Sequence, residues 1–186
     1  MPSALTIQEH LLPYVAKLQA RDVAGIDLVV IHCTELPDLA TAREYGERIV
    51  HPSGTGNSGH YYIDRHGSVL RYVPDDRMAH HVRGMNERSI GIELVNTGRF
   101  PDWHDSRHQA MAEAYPDAQV DALLALLARL RATLPNLRRI AGHEDLDVAM
   151  LPASDDASKQ VQCKLDPGPM FPWQRVMAEC GLERQR

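Results

Sequence analysis

The run Asp27-Leu28-Val29-Val30-Ile31-His32-Cys33 constrains this chain more than any other stretch. It is near-continuously apolar and rich in β-branched residues, with no alternation of polar and apolar positions. Such a strand is stable only with both faces covered, as in the middle of an α/β sheet. The run also carries a histidine at its carboxyl end, where α/β proteins tend to place their sites.

The rest of the chain supplies elements to build around that strand. Pro37-Asp38 opens a helix through Arg48, with Leu39, Ala42, Tyr45 and Ile49 as its apolar stripe. His51 to Ser58 is a Gly/Ser/Asn-rich loop. Gly59–Ile63 and Ser68–Val73 flank a His66-Gly67 turn and form a hairpin. Pro74 to Asn86 is irregular, and Ser89–Val95 is a second buried strand in which Glu93 interrupts the apolar run. A loop from Gly98 to Tyr115 leads to the clearest helix, which starts near Pro116. Its core face is Val120, Leu123, Leu124, Leu127, Leu130 and Leu134, and Pro135 ends it. Leu137–Gly142 is a short last strand that delivers His143. A polar loop, Glu144 to Gln162, has a mobile-looking middle at Ala153–Ser158. A closing helix runs from Phe171-Pro172 to Cys180, with Gly181 as its stop. Near the N-terminus Thr6-Ile7-Gln8-Glu9 has the form of a capping box, but Pro13 interrupts any helix after it, so this part is helix or irregular. The expected fold is a single α/β domain, a central mixed β-sheet flanked by helices with the site on one face. It spans residues 27–181, between an arm (1–26) and a tail (182–186).

Composition narrows the functional classes. With 186 residues, a net charge of -5 and 44% hydrophobic content, the chain has no basic footprint for nucleic acid and no apolar run that spans a bilayer. Met1 to His10 lacks the basic and apolar regions of a signal peptide, and three cysteines without framework spacing suit a reducing compartment. The expectation is a cytoplasmic monomer, or a periplasmic or secreted protein if a leader has been removed. Ten histidines make a metal site worth seeking.

Three positions at strand ends or in loops carry suitable donors: His32, His143 and Asp166. Two imidazoles and a carboxylate, with a fourth position left to water, form a catalytic zinc pattern. The donors are far apart in sequence, however, and a histidine after a buried strand is as readily a hydrogen-bonded core residue. Asp166 lies in Lys164-Leu165-Asp166-Pro167-Gly168-Pro169. The Lys–Asp spacing puts both side chains on one face of an extended segment, and Pro-Gly-Pro stiffens the backbone beyond the carboxylate. A surface ion pair before a turn is the plainer reading of that hexapeptide.

Five linked motifs add a resemblance. Val30-Ile31-His32-Cys33-Thr34, Ser58–Gly67, Ser89–Leu94, Ala141-Gly142-His143 and Lys164–Pro169 stand in the order found in type-2 N-acetylmuramoyl-L-alanine amidases, over roughly Asp27 to Trp173. The family includes cell-wall recycling amidases and, more distantly, phage amidase endolysins and peptidoglycan recognition proteins. The resemblance implies one Zn2+ held by His32, His143 and Asp166, with Glu93 as catalytic acid/base and Lys164 stabilising the transition state. It implies hydrolysis of the amide between N-acetylmuramic acid, possibly in its 1,6-anhydro form, and L-alanine in peptidoglycan fragments or muropeptides. A non-catalytic peptidoglycan-binding module is the alternative. Endolysin relatives carry a tyrosine just before the hairpin histidine. Gly59 stands there, which places this chain with the glutamate-using branch.

Burial on a strand should raise the pKa of Glu93; its plainer role is to partner a buried arginine. Lys164 is otherwise an exposed charge. His81 and Asn86 are candidates to touch substrate or to bridge loops, and His60 is a packing histidine. Glu144 and Asp145 either orient His143 or cap its loop. Trp103 and Tyr115 line a groove or plug the core.

Overall fold

β2 (Leu28–Cys33) is buried at every position. The computed structural model describes residues 5–186; residues 1–4, part of the expected arm and leaderless N-terminus, lie outside the described residues. β2 pairs in parallel with β5 (Ser89–Leu94) on one side and β6 (Arg139–Gly142) on the other. Beyond β5 lie β3 (Tyr61–Ile63) and β4 (Val69–Arg71), the expected hairpin. In its turn the Asp64 carboxylate accepts from the amides of His66 (2.9 Å) and Ser68 (2.8 Å).

Two outer strands, β1 (Ile7–Glu9) and β9 (Glu183–Arg184), come from the segments expected as arm and tail. They complete a mixed seven-stranded sheet in the order β1-β4-β3-β5-β2-β6-β9. The capping-box pattern at Thr6–Glu9 therefore does not start a helix. Pairing with β4 supplies the backbone hydrogen bonds that a helix broken by Pro13 could not.

One face of the sheet is covered by α2 (Asp117–Thr133). Its Val120, Leu123, Leu126, Leu127 and Leu130 pack on Val29, Ile31, Ile90 and Ile92. Each fully buried leucine contributes about 1.5–3 kcal/mol. Gln119 within that interface donates to the carbonyls of Ile63 (2.9 Å) and Val95 (3.0 Å), pinning the helix across two strand ends. α4 (Trp173–Glu179) closes the same side. α1 (Leu39–Glu47) lies on the other face, its N-terminus capped by Asp38, which accepts from Thr41 N at 2.7 Å. Ile49, expected on its stripe, falls past the helix end and is exposed.

The expected loop 144–162 has structure of its own: the turn α3 (His143–Leu146) and a two-stranded ribbon, β7 (Met150–Pro152) with β8 (Gln160–Gln162). Three-residue strands carry no periodic signal, and the segment between β7 and β8 has no glycine turn of the kind that marks the β3–β4 hairpin.

Candidate functional site

Sheet register assembles the site. His32 on β2 is the partner of Glu93 on β5, and Glu93 is the partner of Tyr62 on β3. Ile31 pairs with Gly142 on β6, so His143, the next residue, follows beside His32. Residues in parallel register share a face. Tyr62, Glu93 and His32 form one row at the carboxyl ends of neighbouring strands, on the face away from α2, and His143 extends it. Asp166 enters from the loop between β8 and α4. The Glu144 amide donates to its carbonyl at 2.9 Å, tying that loop to the first turn after His143.

His32 Nδ1 lies 3.0 Å from His143 Nδ1 and 2.9 Å from Asp166 Oδ2; His143 Nδ1 lies 3.1 Å from the same oxygen. All three residues are buried, and they form a group suited to a metal ion. With the carboxylate ionised, hydrogen bonds satisfy at most two sides of this triangle, because an imidazole nitrogen either donates or accepts. A cation satisfies all three. The sides are close to the ~3.3 Å separation of ligands around a tetrahedral zinc with bonds of about 2.0 Å, and the donor set is that of a zinc site with one open position. The residues present fit zinc.

The electrostatics agree. Burial first, then His143, pushes His32 down to about 4, so it is neutral and has a lone pair to give. Burial opposes charge on Asp166, but its contacts with His143 and His32 outweigh this and hold the carboxyl well below the usual range. Glu93 goes the other way. Burial, then the Asp166 charge, pushes it well above an ordinary glutamate, while Lys164 pulls it partly back.

His32, Glu93, His143, Lys164 and Asp166 line one cavity of about 800 Å³. Trp103 lines it too and donates to the Glu35 carbonyl at 3.1 Å. Tyr115 does not line it; its hydroxyl donates to the Pro167 carbonyl (2.7 Å), and its ring packs on Phe171. Asn86 and His81 reach the cavity, but their hydrogen bonds run inward. The Asn86 side-chain oxygen accepts from the amides of His81 (3.0 Å) and Val82 (2.8 Å). His60 is fully buried and accepts from Gly91 N at 3.0 Å, as a packing histidine would. Asp145 accepts from Gly142 N at 3.0 Å and pairs with Arg184, so it caps the turn that starts at His143.

Two participants carry no signal in periodicity or spacing. Tyr62 adjoins Glu93 in the row, its hydroxyl 3.0 Å from Ser58 Oγ. Glu35, rather than Glu93, forms a buried carboxylate–arginine pair, with Arg99 as its partner. The one hint of Glu35 in the sequence is its place three residues after His32, just past a strand end.

A mixed sheet bearing a buried His-His-Asp group beside a glutamate of raised pKa defines an α/β protein with a candidate metal site. Residues 21–169 match the N-acetylmuramoyl-L-alanine amidase family (Amidase_2), and the chain belongs to that family. It is 32% identical over 125 residues to the 1,6-anhydro-N-acetylmuramyl-L-alanine amidase AmpD of Enterobacter cloacae, covering 62% of this chain and 53% of that protein. The chain thus spans about half the length of that relative. Among solved structures, the Escherichia coli amidase AmiD in complex with anhydro-N-acetylmuramic acid-L-Ala-D-gamma-Glu-L-Lys is 26% identical with a TM-score of 0.61, covering 86% of this chain and 58% of that one. The Clostridium intestinale amidase LysC, 19% identical with a TM-score of 0.67 and coverage of 96% and 99%, shares the fold. Among the described residues no helix is long and apolar enough to cross a membrane.

Proposed function

We propose that this chain is a zinc amidase that cleaves the bond between N-acetylmuramic acid and L-alanine in soluble muropeptides, the 1,6-anhydro form included. The carrying observation is the row of His32, Glu93 and His143 with Asp166, facing one cavity. Relatives named for the same amide support the substrate class. Three free cysteines suit work in the cytoplasm on recycled wall fragments.

His32 Nδ1, His143 Nδ1 and Asp166 Oδ2 would hold the ion. When bound, zinc supplies Lewis acidity, which lowers the pKa of a water toward ~7 and polarises an amide carbonyl. Glu93, half-buried and with a raised pKa, takes the proton of the attacking water and returns it to the departing L-alanine nitrogen. The carbon–nitrogen bond breaks, leaving a lactyl carboxyl on the sugar and a free amine on the peptide. Lys164 faces the oxygen that gains charge in the transition state; a preorganised donor of this kind is worth about 3 kcal/mol. A complete donor set beside a glutamate that has no ion-pair partner among the described residues supports catalysis over binding alone.

Incubation with anhydro-muropeptide and, separately, with intact sacculus, with products read by mass, tests this. Release of free stem peptide from the muropeptide is the expected result. No release from either substrate, by zinc-loaded protein, would refute the proposal.

A further inference from the structure

His81 lines the cavity, yet its ring is engaged on both edges by the protein. Nδ1 lies 3.0 Å from His32 Nε2, and Nε2 lies 3.1 Å from Ser89 Oγ. The Ser89 hydroxyl in turn donates to the Met85 carbonyl at 2.7 Å. Proton placement along this chain is set by its last member, because a carbonyl can only accept. Ser89 spends its proton on Met85 and so accepts from His81 Nε2–H. His81 Nδ1 is then a bare acceptor, and His32 Nε2 must carry the hydrogen that reaches it. That leaves His32 Nδ1 as the lone pair facing His143 and Asp166.

The ring has no freedom to leave this arrangement. It lies against the backbone of β5 at Gly91, where an added Cβ would stand 2.6 Å from His81 Cγ. The His60 ring packs on it edge-on at 5.5 Å, and Asn86 Oδ1 holds its backbone amide.

We propose that His81 is a positioning residue that fixes His32 as the Nε2–H tautomer, with its Nδ1 lone pair aimed at the metal position, on instruction from the Met85 carbonyl through Ser89. The inference rests on the zinc reading above and adds to it the source of one ligand's orientation. Partners outside the ligand sphere that hold a metal-bound histidine are worth about 10–100-fold in metal affinity.

The test is zinc retention by the zinc-loaded chain against a graded series of chelator, with thermal unfolding of each variant as a fold control. His81→Leu removes the acceptor and should release zinc at about 10–100-fold lower chelator strength. His81→Asn keeps an oxygen near the Nδ1 position and should recover most of that loss. Ser89→Ala frees the tautomer of His81 and should fall between the two. Nitrogen-15 spectra of the wild-type imidazoles should show Nε2–H on both His32 and His81. Wild-type retention in His81→Leu, or His81→Asn as weak as His81→Leu, would overturn the relay while leaving the zinc site standing. A wild-type protein that binds no zinc would overturn both.

Discussion

A Cβ built on Gly59 stands 2.8 Å from Glu93 Cγ and 3.1 Å from the Gly91 carbonyl oxygen. The space beside the catalytic candidate exists because residue 59 has no side chain. A side chain at position 59 and the glutamate at 93 would compete for one volume. Gly59→Ala should therefore displace the Glu93 carboxylate without touching the metal donors. The expected result is unchanged zinc content with kcat down about 100-fold, at the low end of what general acid–base catalysis supplies. A fully active Gly59→Ala protein would remove Glu93 placement from the mechanism.

Replacing His32 or Asp166 with alanine leaves two donors for the ion. Zinc should then be lost on dialysis, and activity with it. Ligand binding to the folded state raises the unfolding midpoint, so added zinc should raise Tm for the wild-type chain and leave these two variants unmoved. Elemental analysis together with calorimetry measures both. Glu93→Ala, in contrast, should retain one zinc and lose turnover, since Glu93 is not among the three converging donors.

Legibility in the sequence tracks the strength of each physical signal. The β2 run reads as a central strand because no other environment tolerates it, and the α2 leucine face because seventeen residues give the helical period room to repeat. The three-residue strands β1, β7 and β8 offer too few positions to establish any period, and they lack the His66-Gly67 turn that marks the equally short β3 and β4 as a hairpin. At the site, His32 and Glu93 stand out as polar interruptions of apolar strands, and the sheet sets them side by side. His81 is visible as a histidine but its partner is not: a hydrogen bond across 49 residues leaves no mark on spacing. The same holds for Arg99, whose chain neighbours give no hint that it is buried.

Burial of Glu93 sets chemistry against stability. A carboxyl that holds its proton more tightly when folded contributes fully below the unfolded glutamate value of about 4.3. That contribution is lost as pH rises through the folded value, which for Glu93 is well above the ordinary one. In zinc-stripped protein Glu93→Gln, which never ionises, should match the parent near pH 4 and exceed it at pH 7–8, by of order 1–3 kcal/mol, the cost of a poorly satisfied buried polar group. Urea unfolding at the two pH values measures the difference. The variant would be more stable and inactive, the trade expected where a site holds a strained charge for chemistry. Equal stability at both pH values would show that Glu93 is well solvated.

Arg99 is the second place where function and stability meet. Its side chain is 1% exposed and grips Glu35 through Nε–Oε1 (2.7 Å) and Nη2–Oε2 (2.8 Å). The same guanidinium donates to the carbonyls of Gln162 (2.9 Å) and Cys163 (3.1 Å), the two residues before Lys164. It thereby ties the segment just past His32 to the one that presents Lys164 and Asp166. Removing one partner of a buried ion pair costs about 3–5 kcal/mol, so Arg99→Ala should lower unfolding stability by that amount. Arg99→Lys should rescue little, because one ammonium cannot match a planar fork serving a carboxylate and two carbonyls at once. Glu35→Ala with Arg99→Ala should cost less than the two single changes summed, since neither charge is then left alone. If the lost clamp frees Lys164, kcat should fall further in Arg99→Ala than in an equally destabilised Leu127→Ala, whose effect is confined to the far face of the sheet. Equal kcat in those two proteins would reduce Arg99 to a purely structural residue.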